Sequence, residues 1–253
     1  MPSEWEPCMI RLTTARVAQL VALAVALFPS SSAGATPTAS TPVASAKPNA
    51  LALRLGAFDA RAQRIVTSEP VSTSRVGRQI ATDWPALRSA LVQAGAHRAD
   101  LIVADSAVLA LQQQEAAAAD TRRAANVLTA ALAPIYPVTG DRVPPRVHRL
   151  DALQRSIALD VEAVDWVRAT SDAVAVRSAW RAVHTNTTSI VGSASADGYD
   201  RAIGGVEDAI GARNVSRTTL ALRNADRNLA AIENGYDHQE APWRRFIRSH
   251  FGV

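Results

Sequence analysis

The sequence contains very little cysteine and lysine. Its single cysteine, Cys8, lies close to the N-terminus, so a chain that loses a leader from this end keeps none. Without cysteine, the remaining chain has no disulfide, no thiolate metal site and no lipid attached to a cysteine side chain. Lys47 is the only lysine among 27 basic residues, so the other 26 are arginine. Together with abundant alanine, this usage is typical of GC-rich bacterial genomes and indicates no special role for arginine.

The sequence also lacks the short motifs that carry common enzyme chemistry. It has no P-loop, no G-x-G-x-x-G pattern and no H-E-x-x-H pattern. Residues 192–195 do not form a nucleophile elbow, because the second glycine is missing and no strand is predicted before them. We therefore expect a non-enzymatic protein and predict no cofactor.

The charge of the chain is modest, at +4 with neutral histidines. Acidic residues and arginines alternate along the sequence, whereas proteins dedicated to nucleic acids cluster their basic residues on one face or in a recognised motif. The charge pattern therefore argues against a nucleic-acid partner.

Residues 1–35 are predicted to be a cleavable signal peptide. Two arginines precede an apolar run over residues 17–28, and Pro29 ends that run. The run is shorter than the roughly 20 apolar residues that span a bilayer. Residues 33–35 fit the small-x-small pattern that signal peptidase cleaves. We expect the mature chain to be exported to the periplasm or secreted.

The start residue and the cleavage site of this signal peptide each have an alternative. Met9 offers a more basic start than Met1, and residues 44–46 form a second small-x-small pattern. Residues 36–49 consist almost entirely of proline, threonine, serine and alanine, a composition that buries little apolar surface. This stretch is predicted to be a flexible tether.

The remaining residues, 50–253, predict one all-α domain. Apolar residues recur with the period of a helix, and small-residue turns with capping residues separate the helical stretches. We predict an antiparallel bundle of about six helices connected as hairpins. A TPR-like repeat is the alternative, but similar turns near Asp120, Ser171 and Ser216 are unequally spaced. The stretch 51–66 fits a helix or a strand.

Two predicted helices carry apolar residues on more than one face. Residues 98–115 are apolar nearly all round, which predicts a central helix. Residues 146–169 have two opposite apolar arcs, which places this helix between two neighbours. Ser171 and Ser216 are predicted to cap the two longest later helices, and Gly235 to end the last. The first arc contains Leu150, Leu153, Ile157, Val161 and Val164, and the second contains Ala152, Leu159, Ala163 and Trp166.

Polar residues on helix 146–169 are the candidates for a ligand or metal site. Carboxylates with one imidazole suit a hard or borderline divalent ion. The alternative is a solvated face with ion pairs along the helix, since Asp151 and Glu162 are about 16 Å apart along the axis. For Asp160 we expect an arginine partner from another helix. The candidate residues are His148, Asp151, Asp160, Glu162 and Asp165.

The C-terminal segment 241–253 is basic and amphipathic. Its aromatic and aliphatic residues recur at helical spacing, with arginines on the other side, so it is able to contact a membrane surface or a partner groove. The alternative is that its aromatic residues pack on the protein's own bundle. The contact candidates are Trp243, Arg244, Arg245, Phe246, Ile247 and Phe251.

These observations favour an exported helical-bundle protein that binds a partner protein or a small ligand in the cell envelope. A metal- or cofactor-binding bundle that uses carboxylate and histidine ligands is one alternative. A peripheral membrane-associated factor that acts through segment 241–253 is the other.

Overall fold

The computed structural model describes residues 50–67, 73–113 and 118–237. The predicted leader, tether and C-terminal segment (1–35, 36–49 and 241–253) lie outside these residues. The described residues confirm the all-α class: they form eight α-helices and one 3-10 segment and contain no strand, where the sequence predicted about six helices. None of these helices is both long enough and apolar enough to cross a membrane.

The first four α-helices precede the 3-10 segment and the other four follow it. The elements are α1 (Ala50–Thr67), α2 (Thr73–Gln93), α3 (Arg98–Gln113), α4 (Ala118–Leu132), the 3-10 segment (Ala133–Thr139), α5 (Pro145–Glu162), α6 (Trp166–Val191), α7 (Ser193–Gly211) and α8 (Val215–Asp237).

Two hydrophobic clusters form the core. The N-terminal cluster joins α1 to α4 and the 3-10 segment, and the C-terminal cluster joins α5 to α8. Each contains buried aromatic rings, whose large apolar area contributes strongly to stability. The largest fully buried side chains include Phe58, Leu55, Ile65, Ile80, Leu91 and Leu128 in the first cluster and Trp180, Tyr199 and Leu150 in the second.

Helix α5 contributes to both clusters. Ile157 and Val161 on one face belong to the C-terminal cluster, while Leu159 on the opposite face packs into the N-terminal cluster. Ala152, on the same arc as Leu159, is also buried. The prediction that this helix lies between two neighbours is confirmed.

Helix α3 is not central, so that prediction was wrong. It buries one face, with Leu101, Val108 and Leu111, against α2, α4 and the 3-10 segment. Ile102 and Leu109 on its other face are 51% and 52% exposed. Isolated exposed aliphatic residues are common on protein surfaces, and here they made a one-sided helix resemble a buried one.

The turn between α5 and α6 corrects the prediction of one helix over residues 146–169. Helix α5 ends at Glu162, and Val164 adopts a left-handed backbone with φ of 59°. Asp165 donates its backbone N–H to the carbonyl of Asp160 at 2.8 Å, as in a Schellman motif. The Asp165 side chain then caps α6 by accepting the N–H of Arg168, so Ser171 lies inside α6 and caps nothing.

The turn before α8 is of the same kind. Arg213 has φ of 49°, and Asn214 donates its N–H to the carbonyl of Ala209. The Asn214 side chain accepts the N–H of Arg217 at 2.9 Å, so the cap is Asn214, two residues before the predicted Ser216. Both turns have a left-handed residue other than glycine. The turn at Val164 was missed in the sequence, whereas the turn before α8 was predicted close to its place with a cap two residues too late.

Gly235 was predicted to end α8, and this prediction was wrong. The residue lies inside α8, where this helix closely approaches α6. A Cβ at this position would lie 2.7 Å from Cγ1 and 2.8 Å from Cβ of Val191. Replacing Gly235 with alanine is therefore expected to destabilise the protein by about 1–2 kcal/mol, because the clash exceeds the gain in helix propensity. The measurement is the free energy of unfolding in urea.

Gly205 provides the matched control for this substitution. It also lies inside a helix, α7, but a Cβ built there has no atom within 4 Å apart from the nearby backbone of α7 itself. Gly205→Ala is expected to stabilise the protein by about 0.5–1 kcal/mol. Equal effects of the two alanines would contradict the close approach at Gly235.

Candidate functional site

A polar cavity of about 250 Å³ lies among residues of α1, α4, the 3-10 segment, α5 and α8. These elements come from both halves of the chain, so the cavity lies at the boundary between the two hydrophobic clusters. Its lining residues are Asp59, Gln63, Thr129, Tyr136, His148, Asp151 and Glu233.

Asp59 is the most buried acid of this lining. It lies on the apolar face of α1, between Phe58 and Ala62, and only 5% of it is exposed. Its Oδ2 accepts hydrogen bonds from the Tyr136 hydroxyl at 2.7 Å and from Gln63 Nε2 at 3.0 Å. Its Oδ1 has no hydrogen-bond partner among the described residues. Burial raises the pKa of Asp59, and Tyr136 and Arg155 oppose this effect. The hydroxyl of Thr129 also opposes it from close by, although it makes no hydrogen bond of ordinary geometry to Asp59.

Tyr136 is held by the 3-10 segment, which Pro137 and the left-handed Gly140 close. Its ring stacks on the imidazole of His148, with 4.4 Å between ring centroids and 24° between ring planes. Burial and the adjacent Asp59 carboxylate raise the pKa of Tyr136, so its hydroxyl stays protonated and donates to Asp59. The stacked pair thus forms a fixed part of the cavity wall.

His148, in the first turns of α5, lies between two carboxyl groups. Its Nε2 is 3.1 Å from Asp141 Oδ2, and its Nδ1 is 3.8 Å from Glu233 Oε1. Asp141 is fixed by the turn before α5, where its Oδ1 accepts the N–H of Val143. Burial alone would lower the pKa of His148, but Asp141 and Glu233 together raise it. Asp141 is therefore the closer partner of His148, and Glu233 is the more distant one.

Asp151 also has a cation of its own. One turn further along α5, Arg155 donates from Nη1 to Asp151 Oδ2 and from Nε to Asn126 Oδ1 at 3.1 Å. Asn126 in turn donates to the carbonyl of Ala152 and to the hydroxyl of Ser156. This network ties α4 to α5 and fixes the guanidinium, although its Nη2 is buried without a hydrogen-bond partner among the described residues.

Two acids of α8, Asp226 and Glu233, have no hydrogen-bonded arginine among the described residues, and the pKa of each is raised. Burial and the nearby Asp151 raise the pKa of Asp226 to about 6. Burial raises the pKa of Glu233 to about 7; Asp151 adds to this effect, and His148 opposes it. The acidic groups in and around the cavity thus outnumber its two basic neighbours, His148 and Arg155.

The structure brings together two of the five candidates on α5. His148 and Asp151 both line the cavity. Asp160, only 1% exposed, accepts a hydrogen bond from Arg123 of α4, which is the arginine partner expected for it. Asp172 of α6 lies beside Asp160, and burial together with this neighbour raises the pKa of Asp172 to about 6.

The other candidates do not reach the cavity. Glu162 is paired with Arg122 on the surface, with 61% of its side chain exposed. Asp165 caps α6 and pairs with Arg168. The contact candidates Trp243, Arg244, Arg245, Phe246, Ile247 and Phe251 lie outside the described residues.

Metal binding gains no support from the geometry of the described residues. No three of their histidine and acidic side chains lie close enough together to hold one ion. The acids of the cavity instead surround a space, which suits a ligand larger than an ion.

Sequence inspection missed Asp59, Tyr136 and Glu233. Asp59 and Tyr136 are separated by 77 residues, so no local spacing pattern joins them. One signal was available: Asp59 is an acid on an otherwise apolar face of α1, next to Phe58. A charged residue in such a position is uncommon without a partner or a role.

Comparison with known proteins adds no relative. No protein-family model matches the chain, and no curated protein and no solved structure matches it either.

Proposed function

We propose that the mature chain is an exported, non-enzymatic protein of the bacterial cell envelope that binds a small polar ligand in the cavity at Asp59. The unpartnered, buried Oδ1 of Asp59 is the observation that carries this proposal. A buried polar atom without a hydrogen bond costs about 1–3 kcal/mol, and a ligand that donates to it would remove this cost. The signal peptide predicted for residues 1–35 supports export.

The architecture that we propose around this site is an antiparallel bundle built from helical hairpins. The most extensive contacts between helices are those of α5 with α6 and of α7 with α8, which follow one another in the chain. The helices differ in length, from 15 residues in α4 to 26 in α6, which favours a compact bundle over a TPR-like repeat.

Thermal unfolding with a panel of small compounds tests the ligand proposal. The full chain is expressed in a bacterial host and recovered from the periplasmic fraction, where N-terminal sequencing is expected to begin at Thr36. The panel contains amines, polyols, carboxylic acids and divalent metal ions. At least one organic class is expected to raise the melting temperature of this protein.

A variant that fills the cavity makes the test specific. Gln63→Trp places a large side chain in the lining, and Gln93→Trp places the same side chain on the exposed end of α2. The first is expected to abolish the response to the ligand, and the second to leave it unchanged. A response to metal ions alone, or to no compound, would contradict the proposal.

A further inference from the structure

We propose that the ligand of the cavity is a small, positively charged organic amine. This inference rests on the proposed function and names the ligand's chemical class. The cavity has three acidic lining residues, Asp59, Asp151 and Glu233, and contains no arginine or lysine among its lining residues. His148 is the one basic residue of the lining, and it lies closest to Asp141. An ammonium group would supply a second positive charge and several hydrogen-bond donors.

Of the three acids in the lining, Asp151 is paired with an arginine, and Asp59 and Glu233 remain for the ligand. Arg155 is bound to Asp151 and Asn126, and His148 is closest to Asp141. Asp59 receives hydrogen bonds only from neutral groups and keeps Oδ1 unpartnered. Among the described residues, the basic side chain nearest to Glu233 is that of His148, whose Nδ1 is 3.8 Å from Glu233 Oε1. An amine in the cavity would therefore meet Asp59 from α1 and Glu233 from α8.

Other ligand classes fit these groups less well. An anion would face three carboxylates. A divalent ion would need several ligands at short range, and no three suitable side chains of the described residues converge. A neutral polyol could donate to Asp59 Oδ1 but would leave the buried negative charges uncompensated.

The size of the cavity limits the ligand. A volume of about 250 Å³ corresponds to about eight water molecules at liquid density. A linear diamine with a four-carbon chain is of suitable size. We therefore use 1,4-diaminobutane as the probe, 1,4-butanediol as its neutral counterpart and succinate as its anionic counterpart.

The test is thermal unfolding of the full chain at pH 8 with each probe, at an ionic strength kept constant with NaCl. At a concentration ten times its dissociation constant, 1,4-diaminobutane is expected to raise the melting temperature by about 2–4 °C. At pH 5.5 the shift is expected to be smaller, because Glu233 is then mostly protonated and neutral.

Two variants with the same change in net charge locate the effect. Asp59→Asn removes a charge from the cavity, and Glu162→Gln removes one from the surface. We expect the diamine response to be lost in the first and retained in the second. Retention of the response in Asp59→Asn would overturn the assignment of the amine to this cavity.

The remaining outcomes separate this inference from the proposed function. A shift with butanediol or succinate that equals or exceeds the diamine shift, and that Gln63→Trp abolishes, would overturn the amine and leave a ligand site. A shift with Ca²⁺ or Mg²⁺ in place of the amine, or no shift with any probe or other compound, would overturn both.

Discussion

Arg123→Met is expected to reduce the free energy of unfolding by about 3–5 kcal/mol at pH 8, because it leaves the buried carboxylate of Asp160 without its cation. Asp160 is 1% exposed and accepts a hydrogen bond from Arg123. The carboxyl group of Asp172, whose pKa is already raised to about 6, lies beside it. Urea denaturation of the full chain measures the loss. We expect the loss to shrink below pH 6, where Asp172 takes up a proton.

Two further variants test whether the loss of stability comes from the buried charge of Asp160. Arg88→Met removes an arginine whose pair with Asp105 is more than one-third exposed on both sides, and it is expected to cost less than about 1 kcal/mol. Asp160→Asn combined with Arg123→Met is expected to restore much of the lost stability, because no charge then remains at residue 160. A loss in Arg123→Met no larger than that of Arg88→Met would show that the buried pair contributes little.

Glu233→Gln is expected to remove much of the pH dependence of stability between about pH 4.5 and 7. The ordinary pKa of a glutamate is 4.5 and that of Glu233 in the fold is about 7, so the folded protein holds this proton more tightly. Stability therefore falls as pH rises through this window. For one group with this shift the fall is about 2–3 kcal/mol. Urea denaturation at pH 5 and pH 8 measures it.

Other groups contribute in the same direction, so the variant keeps a residual slope. The pKa values of Asp59, Asp172 and Asp226 are also raised. Glu162→Gln is the control, because Arg122 lowers the pKa of Glu162 and its titration affects stability only in more acidic solution. If the control and Glu233→Gln showed the same pH profile, the buried acid would not be the source of the slope.

The helical class and the position of α5 were predictable because they depend on local periodicity. The two arcs of α5 separate Ile157 from Leu159, and the two residues pack into different clusters as the spacing predicted. A 3.6-residue period gives the direction of each side chain without knowledge of its neighbours. The same rule failed for α3, since periodicity alone does not distinguish a buried aliphatic residue from an exposed one such as Leu109.

The boundaries of the later helices were less predictable, because the turns use unusual residues. Sequence rules place glycine at the left-handed position after a helix. Here Val164 and Arg213 occupy it, and the hydrogen bonds of Asp165 and Asn214 complete the motifs. A β-branched valine is unfavourable in this conformation. Nothing in the sequence around Val164 therefore indicated that a helix ends there.

The cavity was predictable only in part. His148 and Asp151 lie one turn apart on α5, and this local spacing made them candidates. Glu233 belongs to the last helix, and Asp59 belongs to the first. Which helices meet at α5 depends on the packing of the whole chain, and a single sequence contains no pattern that records such a meeting.

Helix α5 has a consequence for how the chain can be divided. A protein with two separate clusters would normally tolerate being cut between them into two independent fragments. In this chain the N-terminal cluster needs Leu159 and the C-terminal cluster needs Ile157 and Val161, all from the same two turns of α5. A cut before α5 therefore removes Leu159 from the N-terminal cluster, and a cut after α5 removes Ile157 and Val161 from the C-terminal cluster. The helical region offers no boundary there for truncation or for the insertion of another domain.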